Sequence, residues 1–324
     1  MGVTMDIRQL GNAVPVSLPI GLGTRAFTGR QSRGAEQEAL FIARVHQALD
    51  MGIALLDTAD HYGGGQVERL IGRAIAKRRG EALIATRGGV RFTSGGHVVG
   101  VDGSPRHLQQ ACDASLRRLG VDYVDLYYLD RHHDRGDEEV PVEESVGQLA
   151  ELVRAGKIRH IGMIAPPARE LRHAHAVHPI TAISSEYSLC ERRAEIEQLP
   201  EARDLGMAFV ARSPLGGGLL TGHITTTDQN EAEGLHCGDR RFSRESLARN
   251  AYLLRAAQEV ATHLDLSLSR LALAWLLSRP GVIPIPSTRN PLHLEMNAAA
   301  VSVRLGRGVH ERLAALFPPA PAGG

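Results

Sequence analysis

Two polar clusters follow short apolar runs directly. One is Asp57-Thr58-Ala59-Asp60, with His61 and Tyr62 just beyond; the other is Asp130-Arg131-His132-His133. Carboxylates, imidazoles and phenols are the side chains that donate and accept protons in catalysis, so these clusters are candidates for acid–base chemistry. Residues two apart on a strand face the same side, and a continued strand would put His132 on the side of Asp130, ~6–7 Å further along. The run Arg131-His132-His133-Asp134-Arg135 reads equally well as an exposed loop. A third segment, Gly21-Leu22-Gly23-Thr24-Arg25-Ala26, matches GxGxxA weakly. That fingerprint has to open a helix, and here the next helical pattern begins only near Glu36, so a doubly wound dinucleotide fold is set aside. Cys112, Cys190 and Cys237 are odd in number and far apart, which indicates neither a disulfide framework nor a zinc knuckle, and no metal site is expected.

The elements that must position these residues alternate along the chain. Strands are expected at Pro19–Gly23, Ala54–Asp57, Ala82–Thr86, Val124–Leu129, His160–Ile164, Ala182–Glu186, Ala208–Ala211 and Val282–Pro286. Amphipathic helical patterns lie between them, at Glu36–Met51, Gln66–Arg78, Pro105–Leu119, Pro141–Ala155, Ala168–Val177, Glu195–Leu205 and Leu254–Leu264. Polar clusters repeatedly follow strand ends, which favours an α/β fold of the (β/α)8 TIM-barrel type, whose strand ends form one active face. A long loop, Gly216–Asn250, follows the seventh strand, and Val309–Leu316 forms an extra C-terminal helix. No repeat or linker divides the chain. A single barrel domain is predicted over 1–317, and the Pro/Gly/Ala tail 318–324 is predicted to be disordered.

Composition narrows the partners. A formal net charge of +1 supplies no basic excess for nucleic acid or for an anionic membrane surface. No apolar run has the length of a membrane span, and the N-terminus lacks a signal-peptide pattern, so a cytoplasmic location is expected. Only two of the 37 basic residues are lysine, Lys77 and Lys157. The oligomeric state stays open.

The stretch Leu55-Leu56-Asp57-Thr58-Ala59-Asp60-His61-Tyr62-Gly63 resembles the DTAxxYG signature of the aldo-keto reductases. Further blocks in family order support this: Gly156-Lys157-Ile158-Arg159-His160-Ile161-Gly162, Glu186-Tyr187-Ser188-Leu189, Ser213-Pro214-Leu215-Gly216, Arg241-Phe242 with Asn250, and Ile283-Pro284-Ile285-Pro286-Ser287. The resemblance implies a four-residue site. A tyrosine protonates the substrate as hydride arrives from a nicotinamide, a lysine paired with an aspartate lowers the tyrosine pKa, and a histidine orients the carbonyl. Asp57 and Tyr62 take the aspartate and tyrosine places. Arg87 stands at the lysine place and Asp130 at the histidine place. Arginine keeps the charge but cannot join a proton relay. Three uses of Asp130 remain open: an ion pair with Arg87, a protonated acid that donates to substrate, or neither.

The same resemblance implies NADP(H) as cofactor. Thr24, Ser184, Arg212, Ser213, Leu215, Gly217, Ser287, Arg289 and Asn297 fall in its binding region. Ser213, Leu215 and Gly217 correspond to the pyrophosphate turn, and Ser287, Arg289 and Asn297 to the 2′-phosphate and adenine end. The nicotinamide end departs from the family pattern. Ile164-Ala165 replaces a Ser-Asn pair, Ser184 a glutamine, and Arg212 a tyrosine that stacks on the ring. His293 and Met296 also depart from the usual glutamine and glutamate. The implied function is reduction of a carbonyl or conjugated double bond of a small molecule. A non-redox dehydratase or epimerase using Tyr62 and Asp130, and a non-catalytic NADP(H) sensor, are the alternatives.

Overall fold

The computed structural model describes residues 8–10, 14–28, 34–131, 140–222 and 242–319. Eight strands form one sheet: β1 (Leu22–Gly23), β2 (Leu55–Asp57), β3 (Leu83–Gly88), β4 (Val124–Asp130), β5 (Ile158–Ile164), β6 (Ile180–Glu186), β7 (Ala208–Arg212) and β8 (Val282–Pro284). They neighbour one another in chain order and all run parallel. The ring closes through backbone amides: Gly21 donates to the Pro284 carbonyl (2.9 Å) and Gly23 to that of Pro286 (3.0 Å). Ile285, between the two prolines, donates the other way, to Ala211 (3.1 Å). Prolines lack an N–H and are tolerated here because they serve as acceptors. Parallel strands in sequence order with helical crossovers make the expected (β/α)8 barrel.

Alternation along each strand divides the apolar residues into two cores. Leu56, Ile84, Tyr127, Ile161, Ile183 and Phe209 face the surrounding helices. Leu55, Ala85, Leu126, Tyr128, Ala182, Val210 and Ile283 fill the barrel. Leu10 and Val16 join that inner cluster from an N-terminal hairpin, Arg8–Leu10 paired with Val14–Val16, which the sequence reading did not anticipate. Two glycines are fixed by this packing. A Cβ on Gly162 would lie 2.4 Å from the Tyr128 ring, and one on Gly88 would lie 2.1 Å from the Tyr127 hydroxyl.

The helices follow their local signals. Gln66–Ile75 buries Val67, Leu70, Ile71, Ala74 and Ile75, one stripe at helical spacing. Pro105–Leu119 begins with Ser104 accepting from the His107 amide and ends on left-handed Gly120. Elsewhere the expected bounds shift. The helix expected from Leu254 starts at Arg244, where the Ser243 hydroxyl accepts from the Ser246 amide at 3.2 Å, so the end of the expected long loop is helical. Gly216–Thr221 at its start is a 3-10 turn. Glu195–Leu205 divides into a 3-10 turn, Arg193–Glu195, and a helix, Gln198–Asp204. Two further helices, Leu268–Leu277 and Pro291–Ala299, were not expected. The first is buried over most of its length and therefore shows no amphipathic period. Among the described residues no single helix is long and apolar enough to cross a membrane.

Candidate active site

Inward-facing residues become polar two positions beyond the core. Leu55 leads to Asp57, Ala85 to Arg87, Leu126 and Tyr128 to Asp130, Ala182 to Ser184, and Val210 to Arg212. The strand period thus delivers five polar side chains to the carboxyl end of the barrel. Arg87 lies at their centre and is only 2% exposed. Its Nη2 donates to Asp57 Oδ1 at 3.0 Å and its Nε to the Thr58 carbonyl at 3.2 Å. Its Nη1 is 3.9 Å from Asp130 Oδ2. The guanidinium carbon is 5.8 Å from the Tyr62 ring centre and 5.9 Å from that of Tyr128.

This arrangement brings together the four residues expected to carry the chemistry. Burial opposes the Arg87 cation, but Tyr62, Asp57, Asp130 and Tyr128 together hold its pKa above the usual arginine value. Burial also raises the Asp57 pKa, against the lowering effect of Arg87 and Arg212. Asp57 Oδ2 is buried without a hydrogen-bond partner. Burial keeps Tyr128 a neutral phenol, so it adds no charge of its own. Asp130 is nearer to the ion-pair use than to an isolated acid, although Asp57 is the closer partner of Arg87.

Tyr62 is placed by an unusual turn. Its amide donates to the Ala59 carbonyl (3.1 Å), and Gly63, Gly64 and Gly65 follow with φ of 59°, 64° and 86°. Other L-residues would lose roughly 1–2 kcal/mol at each such position. A Cβ on Gly64 would lie 2.1 Å from the Ser94 carbonyl oxygen, and one on Gly96 2.2 Å from that of His61. The segment Arg91–Asp102 therefore forms a wall against this turn, built on a hairpin of Val90–Phe92 and Val98–Val101. The His61 ring meets Tyr62 edge-on at 4.9 Å and sits 6.2 Å from Phe92.

Sequence reasoning missed the support behind this wall. Glu68 is fully buried and accepts from Thr86 Oγ1 (2.7 Å) and from Arg118 Nε (2.5 Å). Burial raises its pKa, against Arg118 and Thr86. The pairing ties the helix after Tyr62 to β3 and to Pro105–Leu119. Glu68 lies on the apolar stripe of its helix, beside Val67, and that position was the available signal.

The residues assigned to the cofactor form two groups and a rim. Thr24 is buried, and both its amide (3.0 Å) and its hydroxyl (2.9 Å) donate to the Asp57 carbonyl. The Ser287 hydroxyl accepts from the Ala26 amide at 2.8 Å, joining the ends of β1 and β8. Ser213 (φ 46°) starts a turn in which the Gly216 amide returns to its carbonyl (2.8 Å); Leu215 follows, with Gly216, Gly217 and Gly218 all at positive φ. Ala165, after β5, is also left-handed, with φ 42°. Ser184 Oγ lies near the Tyr128 hydroxyl, yet neither has a hydrogen-bond partner of good geometry. Arg289 is exposed, and Asn297 is buried on the helix Pro291–Ala299. His132 and Arg241 lie outside the described residues.

Comparison with known proteins agrees with this geometry. The chain is 35% identical over 308 residues to a probable aldo-keto reductase 1 of Glycine max, covering 94% of this chain and 86% of that relative. The glycerol dehydrogenase AKR11B4 from Gluconobacter oxydans superposes with a TM-score of 0.86 at 28% identity, over 98% of this chain and 97% of that one. An aldo-keto reductase from Klebsiella pneumoniae, solved with NADPH, shares the fold with a TM-score of 0.74 at 24% identity, over 97% of each chain. The profile of the Aldo/keto reductase family matches residues 19–317. A match over nearly the whole barrel, with signature residues at the strand ends where the structure gathers them, places this chain in the aldo/keto reductase family.

Proposed function

We propose that the chain is an NADP(H)-dependent oxidoreductase that reduces a carbonyl or conjugated double bond of a small molecule, with Tyr62 as proton donor. The observation that carries this reading is the buried Arg87, held between Asp57 and Asp130 beside the Tyr62 ring. In barrels of this kind the carboxyl ends of the strands form the active face, which supports giving this group a chemical role.

The residues present fit the cofactor. Successive positive-φ glycines at 216–218 leave room for close approach to phosphate, as Gly-rich turns do. Ser184 has an orphaned buried hydroxyl able to meet an amide. The turn from Ser213 through Leu215 to Gly217 would hold the pyrophosphate, Ser287, Arg289 and Asn297 the adenosine 2′-phosphate end, and Thr24 would brace the floor beneath. When bound, the cofactor supplies the hydride. Tyr62 gives its hydroxyl proton to the substrate and becomes a phenolate that the fixed Arg87 charge stabilises. Arg87 does not surrender a proton, so it acts by its field alone. Asp57 holds that cation from below, and Asp130 balances it at the mouth.

The test is a fluorescence titration with NADPH and NADH, followed by turnover on a panel of carbonyl compounds. NADPH should bind more tightly than NADH. Arg289→Ala should weaken NADPH by about tenfold or more, the value of a hydrogen bond to a charged group. Tyr62→Phe should abolish turnover without loss of NADPH binding. Equal affinity for the two cofactors, or full turnover by Tyr62→Phe, rejects the reading.

A further inference from the structure

Arg212 is the charged residue of the site that the chemistry above leaves unused. It ends β7, faces inward two residues after Val210, and pairs in register with Glu186 on β6. Its charge reaches Arg87, Asp130, Tyr62 and Asp57. Burial, with Arg87 beside it, lowers its pKa, whereas Asp130, Tyr62 and Asp57 act the other way too weakly to restore it.

The partners of the two arginines differ sharply. Arg87 has two carboxylates within 4 Å and a backbone carbonyl. The Arg212 guanidinium makes no ion pair or hydrogen bond among the described residues, and its Nε is buried with no acceptor. A guanidinium carries five donors in a planar fork; that of Arg212 is half-buried, and its desolvated Nε lacks an acceptor. Ser213 follows it directly in a left-handed conformation, so the backbone fixes where this side chain starts. The end of β7 therefore presents a half-buried guanidinium, without a side-chain partner among the described residues, close enough to Arg87, Asp130 and Tyr62 to feel their charges.

We propose that Arg212 receives an anionic group of the substrate, a carboxylate on or next to the reacting carbonyl carbon. A carboxylate has the planar, two-oxygen geometry that the fork matches. Its closeness to Tyr62 and Asp130 places the anion beside the carbonyl rather than at a remote end of a long substrate. Asp57 is bonded to Arg87 and Asp130 lies 3.9 Å from it, and neither makes an ion pair with Arg212. The predicted substrate class is thus a 2-oxo acid or a close relative. In its reduction the C=O π bond breaks, a C–H bond forms with hydride from the reduced nicotinamide cofactor, and the oxygen takes the Tyr62 proton to give a 2-hydroxy acid. This inference rests on the oxidoreductase reading for its chemistry but not for its binding test.

The experiment measures calorimetric binding of oxamate, an unreactive 2-oxo acid isostere, and of neutral ethyl oxamate to the full chain, with and without NADP⁺. Oxamate should bind about ten- to a hundredfold more tightly than the ester, the factor expected for hydrogen bonds to a charged group. Arg212→Gln should abolish this difference, and Arg212→Lys should restore part of it. An NADPH titration on each variant shows that it is folded. Equal binding of acid and ester, no binding of oxamate, or a preference unchanged in Arg212→Gln overturns the proposal. A variant that weakens NADPH but keeps the oxamate preference assigns Arg212 to a cofactor phosphate and likewise overturns it. Turnover of 2-oxo acids is measured separately. Oxamate selectivity without NADPH-dependent reduction would reject the oxidoreductase reading and leave the anion site standing.

Discussion

Replacing Arg87 by methionine removes the central charge while keeping an unbranched side chain of similar length. Asp57 and Asp130, with side chains 3% and 8% exposed, would then face each other's field without a cation. Breaking a buried ion pair from one side costs about 3–5 kcal/mol. The unfolding entropy of a chain of 324 residues is on the order of 0.7 kcal/mol/K at ~2.1 cal/mol/K per residue, so Tm should fall by roughly 4–7 °C. The loss should depend on pH. Burial already raises the Asp57 pKa, and removing Arg87 takes away the largest effect that opposes it. A carboxyl whose folded pKa lies above its unfolded value favours the fold below the unfolded value, and that advantage disappears as pH rises through the folded pKa. The deficit of Arg87→Met should therefore be larger near pH 8 than near pH 5. Adding Asp57→Asn should recover part of it. Thermal unfolding followed by circular dichroism at both pH values decides the matter. A fall of less than about 1 °C, an equal deficit at both pH values, or a double variant no better than the single one would refute the reasoning.

Three other expectations follow from particular residues. Ala165, left-handed at φ 42°, should gain up to about 1 kcal/mol on replacement by asparagine, which tolerates that conformation, and a lower Tm would count against strain there. Gly162→Ala would bring a Cβ to 2.4 Å from the Tyr128 ring and should destabilise by roughly 1–3 kcal/mol, measured by urea unfolding; no change would mean that the ring moves freely. Burial lowers the pKa of His160, His175 and His310, so each favours the fold above the unfolded value of about 6.5 and loses that contribution as pH falls through its folded pKa. Replacing His160 by glutamine should flatten the acid side of the stability profile, and an unchanged profile would remove His160 from that account.

The barrel was legible because each strand is a short apolar run and most of the crossover helices carry an apolar stripe. Polar residues two positions past the core marked the active face, and Asp57, Arg87 and Asp130 meet there. What escaped had identifiable causes. Leu268–Leu277 is apolar nearly all round, so no period distinguishes it. Its cap, Ser267, and the Asn290-Pro291 start of the next helix were readable signals. The hairpin behind Tyr62 was hidden because its Gly96 answers to the His61 carbonyl, and its Ser94 carbonyl to Gly64, across the fold, and local propensity cannot report such contacts. Arg212 could be named from the sequence, but that its buried Nε meets no acceptor among the described residues is a property of three-dimensional packing alone.

The pairing of Arg87 with Asp130 has a physical explanation. An arginine at position 87 carries a permanent charge and more donors than a lysine, on a longer side chain. Buried at 2% exposure, it needs acceptors on several sides. Asp57 and the Thr58 carbonyl meet one side of the fork, and Asp130 stands off the other at 3.9 Å. A histidine at position 130 would offer the fork no negative charge and, when protonated, would repel it. An aspartate is thus a residue that suits a buried arginine, and Arg87 and Asp130 behave as one electrostatic unit. Its consequence is a fixed cation at the carboxyl end of the barrel, flanked by two carboxylates. If Arg212 orients the substrate as proposed, it does so as a donor that has no ion pair or hydrogen bond of its side chain among the described residues.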